Sequence, residues 1–188
     1  MTTGFRNVRE LVDAEIEGAA KFSTWRKQPT QTTASGFWFD LSMSPGNPNP
    51  QYYAASPGVS VAMSQSSDGG IFHGGNVSPA RKYLRRMMAM TVTATAVPMP
   101  MILLDYLLYY PFIDESSTDE QLLTNSVALP RYATGAGVQM MAVAVAAQTG
   151  GQTFQVSYTN SDGVAGRTSK TVTMSTQSVN GTIVTTAS

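Results

Sequence analysis

The sequence predicts a mainly β protein: an antiparallel, jelly-roll-like β-sandwich with an N-terminal helix and an extended proline-rich arm. Three observations lead to this prediction. Short β-like runs separated by Gly, Asn and Asp turns fill the last third of the chain, four prolines fall within residues 43–58, and apolar residues recur at helical spacing near the N-terminus. We expect residues 1–75 to hold the helix and the arm, and residues 76–188 to form the sandwich domain.

The first element is a helix predicted over residues 5–22, with Thr3 able to cap its N-terminus. Its apolar residues recur at steps of three and four, and they are Phe5, Val8, Leu11, Val12, Ile16 and Ala19. Such a stripe must be covered by protein. The cover is either the rest of its own domain or a neighbouring subunit, and the sequence leaves both open.

Residues 25–75 are predicted to be an ordered, extended arm that runs over a protein surface. The prolines of residues 43–58 prevent regular helix and interrupt any central strand. The segment is too rich in large aromatic side chains to be a flexible linker, and residues 36–43 can form one strand. Four aromatic residues are predicted to contact other proteins: Trp25, Trp38, Tyr52 and Tyr53.

The middle of the chain is predicted to contain a strand within residues 83–97, because Met90, Val92, Ala94 and Ala96 alternate with threonines. Residues 101–110 are predicted to form either a short helix or a buried connection that ends at Pro111. The loop that follows contains four carboxylates: Asp114, Glu115, Asp119 and Glu120.

The C-terminal region gives the clearest strand pattern. Strands are predicted at residues 137–148, 153–160, 167–176 and 182–186, with turns at TGGQ, SDGVAG and SVNG between them. Phe154, Val156 and Tyr158 share one face of their strand, and threonine recurs on the outward faces. Repeated short strands of this kind are typical of a sandwich.

The composition favours a protein whose surface is covered by other subunits. Only 13% of the residues are charged, and the formal net charge is zero. A monomer with so few charges is poorly protected against association, although a surface rich in Ser, Thr, Gln and Asn is the simpler explanation. Zero net charge argues against nucleic-acid binding through phosphate neutralisation. The absence of cysteine excludes disulfides and thiolate metal sites, and no signal peptide or bilayer-spanning run is predicted.

The sequence predicts no catalytic, cofactor-binding or metal-binding residue, and therefore no enzyme. His73 is the only histidine, no G-x-S-x-G elbow is present, and a local hydrogen bond in a glycine turn explains it better than a catalytic triad. The acidic loop fits no EF-hand spacing, and residues 160–163 have the composition of a hairpin turn.

Arg81, Lys82, Arg85 and Arg86 form the basic cluster of the chain. On a strand, Arg81 and Arg85 would share one face. The cluster can protect a strand edge from unwanted pairing, contact DNA inside a shell, or pair with the acidic loop of an adjacent copy. Arg81, Arg85 and Arg86 are therefore also predicted interface residues.

The strings WFDLSMSPGNPNPQYYAASP, GIFHGGNVSPARKYLRRMMAMT, MILLDYLLYYPFID and VSYTNSDGVAGRTS resemble a family of virion-associated structural proteins of tailed bacteriophages. The resemblance covers residues 25–188 and carries no active-site motif.

The resemblance implies a capsid-region structural protein of the virion, assembled in the host cytoplasm. The aromatic, proline-rich segment and the uncharged, threonine-rich sandwich favour a head-associated decoration or cement protein. Its implied partners are copies of itself and the major capsid protein, with no nucleic acid and no membrane. Two alternatives remain open: a tail or head–tail connector subunit, and a carbohydrate-binding module that uses its aromatic residues as a stacking platform.

Overall fold

The computed structural model describes residues 4–29, 36–50, 56–63, 69–75, 77, 81–92, 100–114, 116–146, 151–174 and 180–184. The chain divides into two compact units. Unit 1 comprises Met1–Ser23 and His73–Asp105, and unit 2 comprises Thr24–Phe72 and Tyr106–Ser188. These ranges differ from the boundary expected after residue 75. That residues 76–188 form a domain by themselves stays a prediction.

Unit 1 contains the helix α1, Val8–Ile16, which is shorter than the predicted helix over residues 5–22. The side chain of Asn7 caps its start by accepting a hydrogen bond from the backbone N–H of Glu10 at 2.9 Å. The predicted cap, Thr3, lies outside the described residues. At the other end, Gly18 adopts a φ of 77° and Ala19 donates to the carbonyl of Ala14, which closes a Schellman motif.

Residues 81–92 of unit 1 form neither a strand nor a helix and contain no turn or bend. The strand predicted within residues 83–97 is therefore wrong for its described part, residues 83–92, and residues 93–97 lie outside the described residues. An alternating sequence provides the side chains for a sheet, but a strand also needs a neighbouring edge with which to pair.

The regular structure of unit 2 consists mainly of short antiparallel strands. In chain order they are β1 Arg26–Lys27, β2 Trp38–Phe39, β3 Gly46–Asn47, β4 Val61–Ala62, β5 Leu108–Tyr109, β6 Ala142–Val143, β7 Thr153–Phe154, β8 Ser157–Tyr158, β9 Arg167–Thr168, β10 Val172–Thr173 and β11 Thr182–Val184. The pairs are β1–β3, β4–β5, β7–β10 and β8–β9, and β11 lies between β2 and β6 in a three-stranded sheet. The predicted mainly β class is confirmed.

The three-stranded sheet holds part of the small core of unit 2. Ile183 of β11 is opposite Trp38 on one side and Val143 on the other. Thr182 and Val184, which flank it, are buried. A short 3-10 helix, Leu41–Met43, follows β2, so the strand predicted over residues 36–43 is confined to Trp38–Phe39. The other buried apolar side chains among the described residues are Met43, Met63, Leu107, Ala144 and Met174.

Strands β7 to β10 form one hairpin with a bulge. Two residues separate β7 from β8, whereas three residues separate β9 from β10, so one strand carries an extra residue. Ser169 bridges this point: its hydroxyl accepts from the N–H of Val156 at 2.9 Å, and its own N–H donates to the carbonyl of Val156. The predicted hairpin around SDGVAG is thus present in shorter strands than expected.

Residues 101–110 form no helix. Met101 to Leu104 are exposed, Leu107 is buried, and Leu108–Tyr109 forms β5. The expectation of a short helix is wrong, and the buried connection is found only in the second half of the segment. Pro111 is buried and its carbonyl accepts a hydrogen bond from Gly58.

Candidate interaction surface

Helix α1 presents an apolar stripe to solvent. Val8, Val12 and Ile16 follow one another at four-residue steps and are 75%, 41% and 79% exposed. Leu11, which belongs to the same predicted stripe, and Ala14 are half-buried. A helix normally turns its apolar stripe towards a core. In this helix, the described part of the chain does not bury Val8, Val12 or Ile16.

The segment 81–92 has a similar exposed face. Leu84, Met88, Met90 and Val92 occupy even positions and are all exposed, Val92 completely. Two residues at odd positions contact the N-terminal part of the unit: the ring of Tyr83 lies 5.6 Å from that of Phe5, and Arg85 forms an ion pair with Glu15. We call the exposed apolar side chains of α1 and of residues 84–92 the arm surface. It contains no residue of the proline-rich arm predicted over residues 25–75.

The C-terminal part of this segment, residues 86–92, has a distinctive backbone. Within the described ranges, no backbone group of residues 86–92 forms a hydrogen bond with another protein group. An unbent chain with free donors and acceptors and apolar side chains is suited to adding as a strand to a sheet edge of another protein.

The four basic residues have different roles in the structure. Arg85 is held by Glu15. The ammonium of Lys82 donates to three consecutive backbone carbonyls: those of His73 at 3.0 Å, Gly74 at 2.8 Å and Gly75. Arg81 and Arg86 are exposed and have no ion-pair or hydrogen-bond partner among the described residues. These two arginines are therefore available to another chain.

His73 lies next to this lysine. Its Nδ1 atom is 3.3 Å from the Lys82 ammonium, and the following residue, Gly74, has a φ of 81°. This contact agrees with the local role in a glycine turn that the sequence favoured over catalysis.

Trp25 takes part in an internal anchor of unit 2. Its indole N–H donates to the carbonyl of Gly69 at 3.1 Å, and the Lys27 ammonium lies 5.7 Å from its ring. Lys27 donates in turn to the carbonyls of Ser42, Ser44 and Pro48 at 2.9, 3.2 and 2.7 Å. Lys27 thereby holds the loop that follows β2, while the half-buried Trp25 is attached to Gly69 and lies beside Lys27. The predicted role of Trp25 at an interface stays a prediction.

Trp38 is 38% exposed at the edge strand β2, which leaves part of its ring open to contact. Tyr52 and Tyr53 lie outside the described residues. The structure therefore brings Arg81, Arg85 and Arg86 together in unit 1, and it places Trp25 and Trp38 in unit 2.

The carboxylates of the loop after β5 are exposed. Asp114 accepts hydrogen bonds from the hydroxyl and the N–H of Ser116 at 2.7 and 2.9 Å, and these bonds lower the pKa of its carboxyl. Gln121 bridges back to the backbone N–H of Asp114 and closes the loop. Asp119 and Glu120 are exposed as well. Glu115 lies outside the described residues.

Two lysines have roles that the sequence did not predict. The anchoring roles of Lys27 and Lys82 depend on carbonyls that converge from a folded loop, and nothing in the local sequence indicates that convergence. The exposure of α1 was an open alternative in the sequence, because an apolar stripe shows that a cover is needed without showing which chain provides it.

The chain matches no protein-family model, no curated protein and no solved structure, so its function has to be inferred from these surfaces. Among the described residues, no group of three or more His, Asp and Glu side chains could hold a metal ion. No helix in the same ranges has the length and apolar character needed to cross a membrane.

Proposed function

We propose that the chain is a structural protein of a tailed-phage particle, a head-associated decoration or cement protein that stabilises the capsid shell by packing against its neighbours. The partners in this proposal are copies of the chain and the major capsid protein, and no catalysis is involved. The tail or connector alternative retains the same mode of action, packing between subunits, at another position in the particle.

The exposed apolar surface of unit 1 is the single observation that carries this proposal. Monomeric soluble proteins rarely leave large contiguous apolar patches in contact with water. Here a helix without any buried residue and a neighbouring segment both present apolar side chains to solvent. A subunit that is covered by other proteins in its working state accounts for this exposure.

Two properties of the sequence support the same proposal. With only 13% charged residues and no net charge, close packing of many copies creates little electrostatic repulsion. The resemblance to virion-associated proteins extends over most of the chain. Many weak contacts between copies and a shell would add up through multivalency.

The finer fold, a jelly-roll-like sandwich, belongs to this proposal. The antiparallel pairs of unit 2 support it, because short antiparallel strands joined by hairpin turns are the units from which sandwiches are built.

Binding to empty shells tests the proposed function. The purified chain is mixed with empty shells of the phage that encodes it, and shell melting is followed by calorimetry. We expect the melting temperature to rise with the wild-type chain. The variant Met88→Gln/Met90→Gln should lose the increase, because polar amides replace apolar contacts of similar size.

Met140→Gln is the matched control, since Met140 is 61% exposed but lies in unit 2. It should stabilise the shell as the wild type does. Absence of binding by the wild-type chain would refute the decoration role. Assembly into a closed ring that binds tail or connector proteins instead would favour the alternative.

A further inference from the structure

The arm surface carries enough apolar area for a protein–protein interface. Its large apolar side chains are Val8, Val12, Ile16, Leu84, Met87, Met88, Met90 and Val92, and they are between 41% and 101% exposed. Full burial of such a side chain removes roughly 60–120 Å² of apolar surface, so together they offer on the order of 500 Å². An interface of standard size buries about 800 Å² per partner, of which somewhat more than half is apolar.

The charges beside the arm surface indicate which chain covers it. Arg81 and Arg86 are exposed and lack partners among the described residues. Asp119 and Glu120, in unit 2, are exposed as well and form no ion pair in the described part of the chain. Each copy therefore has a pair of available positive charges beside the arm surface in unit 1, and a pair of adjacent, available negative charges on one loop of unit 2.

We infer that the arm surface binds a second copy of this chain in a head-to-tail manner, with Arg81 and Arg86 of one copy paired with Asp119 and Glu120 of the next. The apolar side chains supply the affinity, and the charges select the partner and fix its register. Because the two contacting surfaces are different, the interaction is heterologous and generates a ring if the rotation closes. The inference rests on the proposed structural function and names the two surfaces through which copies of the chain meet.

Charge reversal tests this pairing directly. The full chain is prepared as Arg81→Glu/Arg86→Glu and as Asp119→Arg/Glu120→Arg, and the mass distribution is measured by sedimentation velocity at low salt. Wild-type chains should form oligomers. Each variant alone should remain monomeric, because like charges then meet at the contact.

Mixing the two variants should restore oligomers in which they alternate, since every contact again joins opposite charges. The fourfold variant with both reversals should also assemble by itself. Arg167→Glu/Lys170→Glu is the matched control: it reverses two exposed positive charges of unit 2 and should assemble as the wild type does.

Oligomers that persist unchanged in both single-surface variants would overturn the inference. So would a wild-type chain that stays monomeric at all concentrations. If such a monomer still binds and stabilises phage shells, the structural function stands and only the self-association is refuted, so the two outcomes are distinguishable.

Discussion

At the scale of single residues, two lysines stabilise irregular backbone through hydrogen bonds. Lys27 and Lys82 each direct three N–H donors at three backbone carbonyls. In a chain with little regular structure, such bonds replace part of the hydrogen bonding that helices and sheets supply elsewhere.

Replacement of Lys27 by Met is expected to destabilise unit 2. Three charge-assisted hydrogen bonds disappear, and the carbonyls of Ser42, Ser44 and Pro48 are left to water. Because the site is half-buried and water can replace part of the bonding, the expected loss is about 2 kcal/mol. Urea unfolding followed by fluorescence measures it. Lys170→Met, at an exposed lysine, should change the midpoint little, and an equal loss in both variants would contradict the anchoring role.

Substitutions at two glycines distinguish the cost of a left-handed backbone conformation from the cost of close packing. Gly181 has a φ of 93°, and a Cβ atom there would lie 2.6 Å from the carbonyl oxygen of Asp40. Gly137 has a φ of 75°, but a Cβ atom there would have no neighbouring atom within 4 Å. Gly137→Ala should cost about 1 kcal/mol through its backbone conformation. Gly181→Ala should cost about 2 kcal/mol more, because β2 and β11 must separate. Equal unfolding midpoints for the two variants would show that the close approach is absent.

At the scale of elements, the hairpin from β7 to β10 shows what sequence can predict. Its turn is fixed locally: the side-chain oxygen of Asn160 accepts from the N–H groups of Asp162 and Val164 at 3.1 and 2.9 Å, and Gly163 has a φ of 77°. Asn, Asp and Gly carry this information in their own chemistry. Its position could therefore be predicted without knowledge of any distant residue.

Elements that depend on distant partners could not be predicted in the same way. The alternation within residues 83–97 is compatible with a strand, yet residues 83–92 pair with no strand in the described part of the chain. The end of α1, by contrast, could have been predicted, because Gly18 stops the helix after Ile16. The prediction followed the apolar spacing past this glycine instead. Of the predicted interface residues, the basic ones could be grouped by their spacing in the sequence. The hydrogen bond of Trp25 to Gly69 could not be predicted, because the two residues meet only in the folded chain.

Removal of the Asn160 side chain is expected to loosen this hairpin. Asn160→Ala deletes the acceptor of two backbone N–H groups, which should cost about 1 kcal/mol. Amide hydrogen exchange of the β8–β9 region should become faster. Asn160→Asp keeps an oxygen acceptor and should exchange as slowly as the wild type. Unchanged exchange in Asn160→Ala would mean that Gly163 alone maintains the turn.

At the scale of the whole molecule, the two units differ in how they satisfy their apolar side chains. Unit 2 contains a small core with Met43, Met63 and Met174 buried. The described part of unit 1 exposes most of its apolar side chains, and its segment 86–92 leaves its backbone groups unpaired. Protein partners that cover unit 1 would bury its apolar side chains and pair its free backbone groups at the same time. This is the central claim of the proposed function.

Methionine oxidation tests this claim most directly, because thioether reactivity follows accessibility. The chain is treated with hydrogen peroxide as a dilute monomer and in its assembled form, and oxidation at each methionine is measured by peptide mass spectrometry. In the monomer, Met88 and Met90 should react as fast as the exposed Met140, and the buried Met43 should react slowly. In the assembly, Met88 and Met90 should slow to the rate of Met43 while Met140 stays fast. Oxidation of Met88 and Met90 at the rate of Met140 in the assembled form would contradict the account.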